Sequence, residues 1–316
     1  MKRWVRNSLV GFCALLVILA GAYWWLFVES HLPSGAEYAL DIDQVRRLAA
    51  APRDQKPIAV EAETVGLFKP PGNFVVAGDG WQSSEVPVYS YRVVYAKASV
   101  IIDTALNQEI VGGYLDSFDA AAFARIQAAM SQSSLILVTH EHADHIGGLT
   151  SHPNLAAVLA ATKLTREQLA VPAAILPAKF PEHSLDGYVP LEYGRYMAVA
   201  PGMVLIKSPG HTPGSQMVYV QTVNGTEFLF IGDVAWHFRN IELQRERARF
   251  ATQFVIQEDR AAVFGQLSAL HKLHEAEPRI NIVPGHDGVV VKRLIDAGLM
   301  KAQFDSSPSD QRNSRD

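Results

Sequence analysis

Three histidines and an aspartate crowd into one short stretch of this chain: His140, His142, Asp144 and His145, within Thr139–Leu149. An H-x-H-x-D-H cluster packs too many imidazoles together for ordinary core, and neutral imidazole and carboxylate are the ligands that suit zinc and related divalent ions. Downstream, His211 sits in Ser208-Pro-Gly-His-Thr-Pro-Gly-Ser215, where prolines and glycines fix a tight turn and present the ring rigidly. Asp233 follows Phe228-Leu-Phe-Ile-Gly232, and His286 ends Ile282-Val-Pro-Gly-His286. One apolar run leading through a small residue to a ligand would be weak evidence; its recurrence along the chain argues for a metal site assembled from several loops.

The elements that must position these residues follow from the apolar patterning. Leu135–Val138 is rich in strand formers and reads as a buried strand that delivers the cluster onto a loop. Val88–Ile102 reads as two strands ending at Asp103-Thr-Ala105, and Phe118–Met130 as an alanine-rich helix capped by Ser117 or Asp119. Met203–Ile206, Gln216–Thr222 and Glu227–Ile231 read as strands, the last two joined at an Asn224-Gly225 hairpin turn. Gln257–His274 reads as a helix, Arg279–Val283 as a buried strand and Val289–Met300 as a closing helix. Strand, helix, strand order of this kind argues for an α/β layered body. Between Ser151 and Ala200 the chain is loop-rich with a short helix over Leu164–Leu169; Phe180, His183, Tyr188, Tyr193 and Tyr196 there either line a substrate pocket or simply pack.

Composition narrows the class. A chain of 316 residues, 48% hydrophobic, supports a large core, and a net charge of −4 without a basic patch gives no case for nucleic acid. The single cysteine, Cys13, excludes an intrachain disulfide and a thiolate-rich zinc knuckle. Lys2, Arg3 and Arg6 precede an uncharged stretch from Ser8 to Val28, long enough to cross a bilayer as a helix, and Glu29 follows it. The positive-inside rule then makes residues 1–30 a single-pass anchor in the inner (cytoplasmic) membrane, with the body on the periplasmic, extracytoplasmic side. Trp24 and Trp25 suit an interfacial belt; the rival reading is a signal peptide cleaved after Ala20-Gly-Ala22. Residues 31–73 read as linker and N-terminal extension, with a helix over Asp41–Ala50 capped by Asp41 and a strand over Pro57–Val65. Residues 74–302 read as the catalytic domain and 303–316 as a disordered tail.

With the later His, Asp and His in this order behind H-x-H-x-D-H, the chain resembles the metallo-β-lactamase superfamily from about Phe74 to Met300. The resemblance implies a four-layer αββα sandwich with the site at one edge of two sheets. It also implies two divalent ions, zinc being the expected metal: His140, His142 and His211 on one, Asp144, His145 and His286 on the other, and Asp233 bridging. Asp103 matches an aspartate expected to orient a ligand histidine from behind, here in Asp-Thr-Ala where Asp-Thr-Gly is commoner. The implied reaction is hydrolysis of a small ester, lactone or thioester by hydroxide held between the metals, with Asp144 and Asp233 also managing protons.

A carboxylate at Asp233 argues against β-lactam hydrolysis, for which the family places cysteine or serine there, and no Gly-x-Ser-x-Gly elbow is present. Ser208 to Trp236 looks most like acyl-homoserine lactonases, but Trp236 stands where those carry a tyrosine, and an indole cannot supply a catalytic proton. His237 beside it is either a substitute or a surface residue. The alternatives are a mononuclear iron oxygenase of the same fold, built on His140, His142, His211 or nearby carboxylates, and a metal-binding module without turnover. The expected partner is a small-molecule substrate; the oligomeric state is left open.

Overall fold

In the computed structural model, which describes residues 3–31, 35–111 and 115–304, the uncharged N-terminal stretch forms one helix, α1 (Arg3–Phe27), with no buried side chain. It is long and apolar enough to cross a membrane. α2 (Ile42–Leu48) is capped as expected: the Asp41 carboxylate accepts from the Gln44 N–H at 2.8 Å. Then follow β1 (Ala59–Phe68), α3 (Gly72–Val75), β2 (Val86–Val94), β3 (Ser99–Ile102), α4 (Gln108–Val111) and β4 (Ser117–Phe118). α5 (Ala120–Gln132), β5 (Leu135–Leu137), α6 (Ala143–Thr150), α7 (Leu155–Ala161) and α8 (Arg166–Ala170) complete the first half. The second half runs β6 (Tyr196–Ala200), β7 (Met203–Lys207), β8 (Gln216–Gln221), β9 (Glu227–Phe230), α9 (Phe238–Glu242), α10 (Arg260–Ala276), β10 (Ile280–Val283) and α11 (Gly288–Asp296).

The strands form two five-stranded sheets, ordered β4-β1-β2-β3-β5 and β10-β9-β8-β7-β6. The β3–β5 and β9–β10 pairs are parallel and the other neighbours antiparallel. Inward-facing residues of both sheets, among them Tyr91, Val93 and Ile102 of the first and Leu205, Val218 and Phe230 of the second, make the central core. Outside the first sheet, Ile126 and Met130 of α5 and Ile146 and Leu149 of α6 pack on Ile101 and Ile136. Outside the second, Val45 of α2 and Val263, Leu267 and Leu270 of α10 cover Val204, Ile206 and Tyr219. The order is helices, sheet, sheet, helices, the αββα sandwich that the motifs imply.

The structure redraws some expected boundaries. Within residues 31–73, expected as linker and extension, β1 pairs along its length with β2, so this segment belongs to the first sheet. Its buried Glu61 and Glu63 are matched by Arg92 and Arg125. The helix expected from Gln257 begins at Arg260, because Asp259 caps it and Gln257 takes a left-handed φ of 65°. The closing helix stops at Asp296, before Gly298 turns with φ 69°. Phe304, expected in the tail, is buried against the first helical layer; the rest of that tail, 305–316, and 32–34 of the linker lie outside the described residues.

One glycine on α6 is required by contact. A Cβ at Gly148 would lie 1.9 Å from the Thr104 carbonyl oxygen, a backbone atom that cannot swing aside. Gly148→Ala should therefore lower the thermal midpoint by several degrees, since overpacking costs about 1–3 kcal/mol and each kcal/mol is roughly 2–4 °C for a domain of this size. An unchanged melting curve would refute the contact.

Candidate metal centre

Each site residue leaves a strand or loop at the same edge of the sandwich. Asp103 follows β3, and His140, His142, Asp144 and His145 occupy the turn from β5 into α6. His211 lies on the β7–β8 loop, Asp233 follows β9 and His286 follows β10. Edge strands β5 and β10 thus bring ligands from opposite halves of the chain to one place.

The seven candidates separate into two groups, His140, His142, His211 and Asp233 in one, and Asp144, His145 and His286 in the other, each with ligand atoms within 4.8 Å of one another. His142 Nδ1 lies 3.1 Å from His140 Nε2 and 3.0 Å from His211 Nε2. Three ring nitrogens converging this closely suit a shared ion: tetrahedral zinc at about 2.05 Å separates its ligands by roughly 3.3 Å. Asp233 Oδ2 faces this group, 3.4 Å from His211 Nε2 and 3.8 Å from His140 Nε2. Its Oδ1 faces the other, 3.3 Å from His145 Nε2 and 3.2 Å from His286 Nε2. Asp144 Oδ2 closes the second group at 3.7 Å from His145 Nε2 and 3.4 Å from His286 Nε2. His145 Nε2 and Asp233 Oδ1 are buried without a hydrogen-bond partner, the state of groups shaped to hold a cation. A Cβ at Gly285 would stand 2.2 Å from Asp233 Oδ1, so that position has room only for glycine.

The far nitrogens are anchored. His145 Nδ1 donates to Asp103 Oδ2 at 2.8 Å, His286 Nδ1 to the Pro87 carbonyl at 2.8 Å, and His211 Nδ1 to Glu258 Oε2 at 2.9 Å. With a proton held on each Nδ1, each Nε2 is a lone pair aimed inward. Asp103 also accepts from the Thr139 N–H at 2.6 Å and the Thr139 hydroxyl at 2.8 Å. It thereby fixes both ends of the first cluster. Asp103 and Ala105 both take left-handed backbone, at φ 59° and 54°; alanine stands where the related motif has glycine, and its methyl is buried in the core.

Burial sets the protonation of the site. Desolvation, reinforced by neighbouring rings, holds His140 well below the usual imidazole range and His142 at about 3. At His145 and His286 burial also disfavours the charged form, but it is overcome by Asp103 and Asp144 for the first and by Asp233 for the second, and both are raised. Burial would raise Asp233, yet His286, His145 and His140 hold it well below the carboxylate range.

A cleft of about 580 Å³ opens over this floor. His142, Asp144 and His286 line its base, and its walls are largely apolar, from Phe68, Val86, Leu176, Pro177, Trp236 and Val255, with Lys69 and Asp116 also lining it. The Trp236 indole N–H donates to Asp233 Oδ2 at 2.6 Å. His237 turns away and bonds the Glu85 carbonyl at 2.9 Å; of its two readings, the surface one holds. The aromatic residues of 180–196 pack instead of lining the cleft: Phe180 and Tyr188 on the first helical layer, Tyr193 between the sheets, Tyr196 beneath α2, while His183 is exposed.

A sequence model of the metallo-beta-lactamase superfamily matches residues 84–286, more than half of the chain. The chain belongs to that superfamily. Among solved metallo-beta-lactamase folds it is similar to an N-acyl homoserine lactone hydrolase carrying the product N-hexanoyl-L-homoserine at its catalytic metal centre, with a TM-score of 0.57 and 19% identity over 75% of this chain and 96% of that one. It is similar as well to a quorum-quenching N-acyl homoserine lactone lactonase, with a TM-score of 0.57 and 20% identity over 74% of this chain and 94% of that one. At such identities the likeness is one of fold. No curated protein matches the sequence.

Three buried residues of the site escaped the sequence. Glu258 anchors His211 and is itself held by Arg247, whose Nη2 lies 2.5 Å from Glu258 Oε2. The Arg247 guanidinium also lies over the Trp236 ring, 5.2 Å from its centroid. Glu141 accepts from the Thr212 hydroxyl at 2.8 Å and the Gly214 N–H at 3.2 Å, bracing the turn that carries His211. Only position flagged Glu141, inside the H-x-H motif.

Proposed function

We propose that this metallo-beta-lactamase-fold hydrolase opens an ester, lactone or thioester at a site holding two divalent ions, zinc being the expected metal. The observation that carries the reading is the Asp233 carboxylate, which gives one oxygen to each ligand group beneath an apolar cleft. His140, His142 and His211 are the ligands assigned to one ion, Asp144, His145 and His286 to the other, with Asp233 shared. Divalent ions held there supply Lewis acidity, acidifying water and polarising a carbonyl. The chain supplies the rest. Asp103, Glu258 and the Pro87 carbonyl hold three rings in one tautomer and orientation. Trp236 commits its indole N–H to a hydrogen bond with Asp233, so it keeps that carboxylate in register and leaves proton transfer to another group. Asp144, with a side chain 23% exposed at the cleft floor, takes the proton of the attacking water and returns it to the departing oxygen or sulfur. The apolar walls bind the acyl part and exclude water.

Metal analysis of protein purified without added metal tests the first half; about two zinc per chain is the expected result. One iron without zinc would overturn it in favour of the oxygenase. A panel of lactones, esters, thioesters, phosphoesters and β-lactams tests the second, with turnover expected on carbonyl substrates other than β-lactams. Asp103→Ala should weaken metal affinity roughly 10- to 100-fold by freeing His145; unchanged affinity in a chelator competition would remove its orienting role.

The same reading includes α1 as an uncleaved single-pass anchor with the body outside the cytoplasm. Supporting it, Phe27 of α1 stacks on Phe74 and Phe250 of the body at 6.5 and 5.5 Å, and Glu29 pairs with Arg249.

A further inference from the structure

The anchor and the cleft are joined by a strip of exposed apolar side chains. Phe250, whose ring stacks on Phe27, also contacts Phe254, at 5.9 Å between centroids. Phe254 and Val255 lie on a π-helical turn, Ala251–Ile256, and are 60% and 63% exposed. Val255 is at the same time a wall of the cleft. On the other side of Phe27, Trp81 contacts it at 5.1 Å, receives Tyr23 at 6.4 Å, and remains 55% exposed. Large apolar side chains left in water at this density mark a surface meant to be covered.

The anchor fixes what covers them. Tyr23 lies five residues before the end of the uncharged span at Val28, about 7 Å along a helix. A body residue in ring contact with Tyr23 is therefore held at the depth of the headgroups and first methylenes, where aromatic residues partition. Arg249 marks the same boundary: its guanidinium lies over Trp25, 4.7 Å from the ring centroid, and pairs with Glu29 just outside the span. We propose that Trp81, Phe254 and Val255 seat the cleft mouth on the bilayer that α1 spans, and that the cleft takes from that bilayer an acyl-chain-bearing ester, lactone or thioester. The substrate part rests on the hydrolase reading and the seating on the anchor reading. The acyl chain runs from the lipid past Val255 along the walls formed by Leu176 and Pro177, and the carbonyl reaches Asp144 and His286 at the floor.

The full chain in phosphatidylcholine vesicles tests both parts. In a Cys13→Ser background, a nitroxide placed by Phe254→Cys should be shielded from a water-soluble nickel relaxant and favour oxygen. A nitroxide placed by Asn224→Cys, on the exposed hairpin at the opposite end of the second sheet, should not. Equal accessibility at the two positions overturns the seating. Phe254→Asp should slow hydrolysis of a long-chain ester carried in the vesicles roughly tenfold or more, while a short water-soluble ester keeps its rate. Equal loss on both esters, or on neither, overturns capture from the bilayer. Should the unaltered chain cleave neither ester, the hydrolase reading fails, and the label measurement still decides the seating.

Discussion

Replacing Asp233 with alanine should abolish turnover, by at least about 10³-fold in kcat/KM, or roughly 4 kcal/mol of transition-state stabilisation. The size follows from the geometry. Both carboxylate oxygens are committed, each within 3.4 Å of a ring nitrogen of a different ligand group, and the side chain is fully buried. No neighbour can take over, because the Gly285 backbone fills the space behind Oδ1. Zinc measured by elemental analysis should fall below two per chain, and Asp233→Asn, which keeps the shape and loses the charge, should behave nearly as badly. Hydrolysis surviving the alanine change would mean that the two groups work independently, and the shared-ligand reading would be wrong.

Breaking the Arg247–Glu258 pair should give the largest loss of stability. Both side chains are almost wholly buried, and burial alone would raise Glu258, but Arg247 and His211 hold it below the carboxylate range. Removing one partner strands the other's charge in the interior, a cost of about 3–5 kcal/mol. For a domain of this size that lowers the thermal midpoint by on the order of 10 °C. Arg247→Met and Glu258→Gln should each show it, and the double variant should cost less than the two combined, as expected of contacting residues. Glu258→Gln should in addition weaken metal binding through His211, which Arg247→Met does only indirectly. Additive melting-point losses would show that the two residues are not energetically coupled.

The clustered His and Asp positions were legible because their chemistry is local: four lie within six residues, and the others each follow an apolar strand through a small residue. The residues that brace those positions were not. Arg247 and Glu258 lie in a charged stretch with Glu242, Arg245, Glu246 and Arg249, and only the fold turns Glu246, Arg247 and Glu258 inward. β1 was placed outside the catalytic body for a similar reason. Glu61 and Glu63 break its apolar pattern, and their partners Arg92 and Arg125 lie some 30 and 60 residues further on. The sequence did locate Trp236 and state what an indole can do; that its N–H donates to Asp233 depends on a turn whose shape no spacing rule supplies.

The bracing of the loop after β3 constrains how this centre could be altered or transplanted. Thr104 N–H donates to the His145 carbonyl at 2.7 Å, Gly148 N–H to the Ala105 carbonyl at 2.9 Å, and Leu149 N–H to the Thr104 hydroxyl at 3.0 Å. Two left-handed non-glycine residues persist there only because α6 over-determines them. Grafting His140–His145 onto another scaffold without residues 103–105 would leave the histidines in sequence but not in aim. The heritable unit is the loop and helix together, and changes in one of them have to be matched in the other.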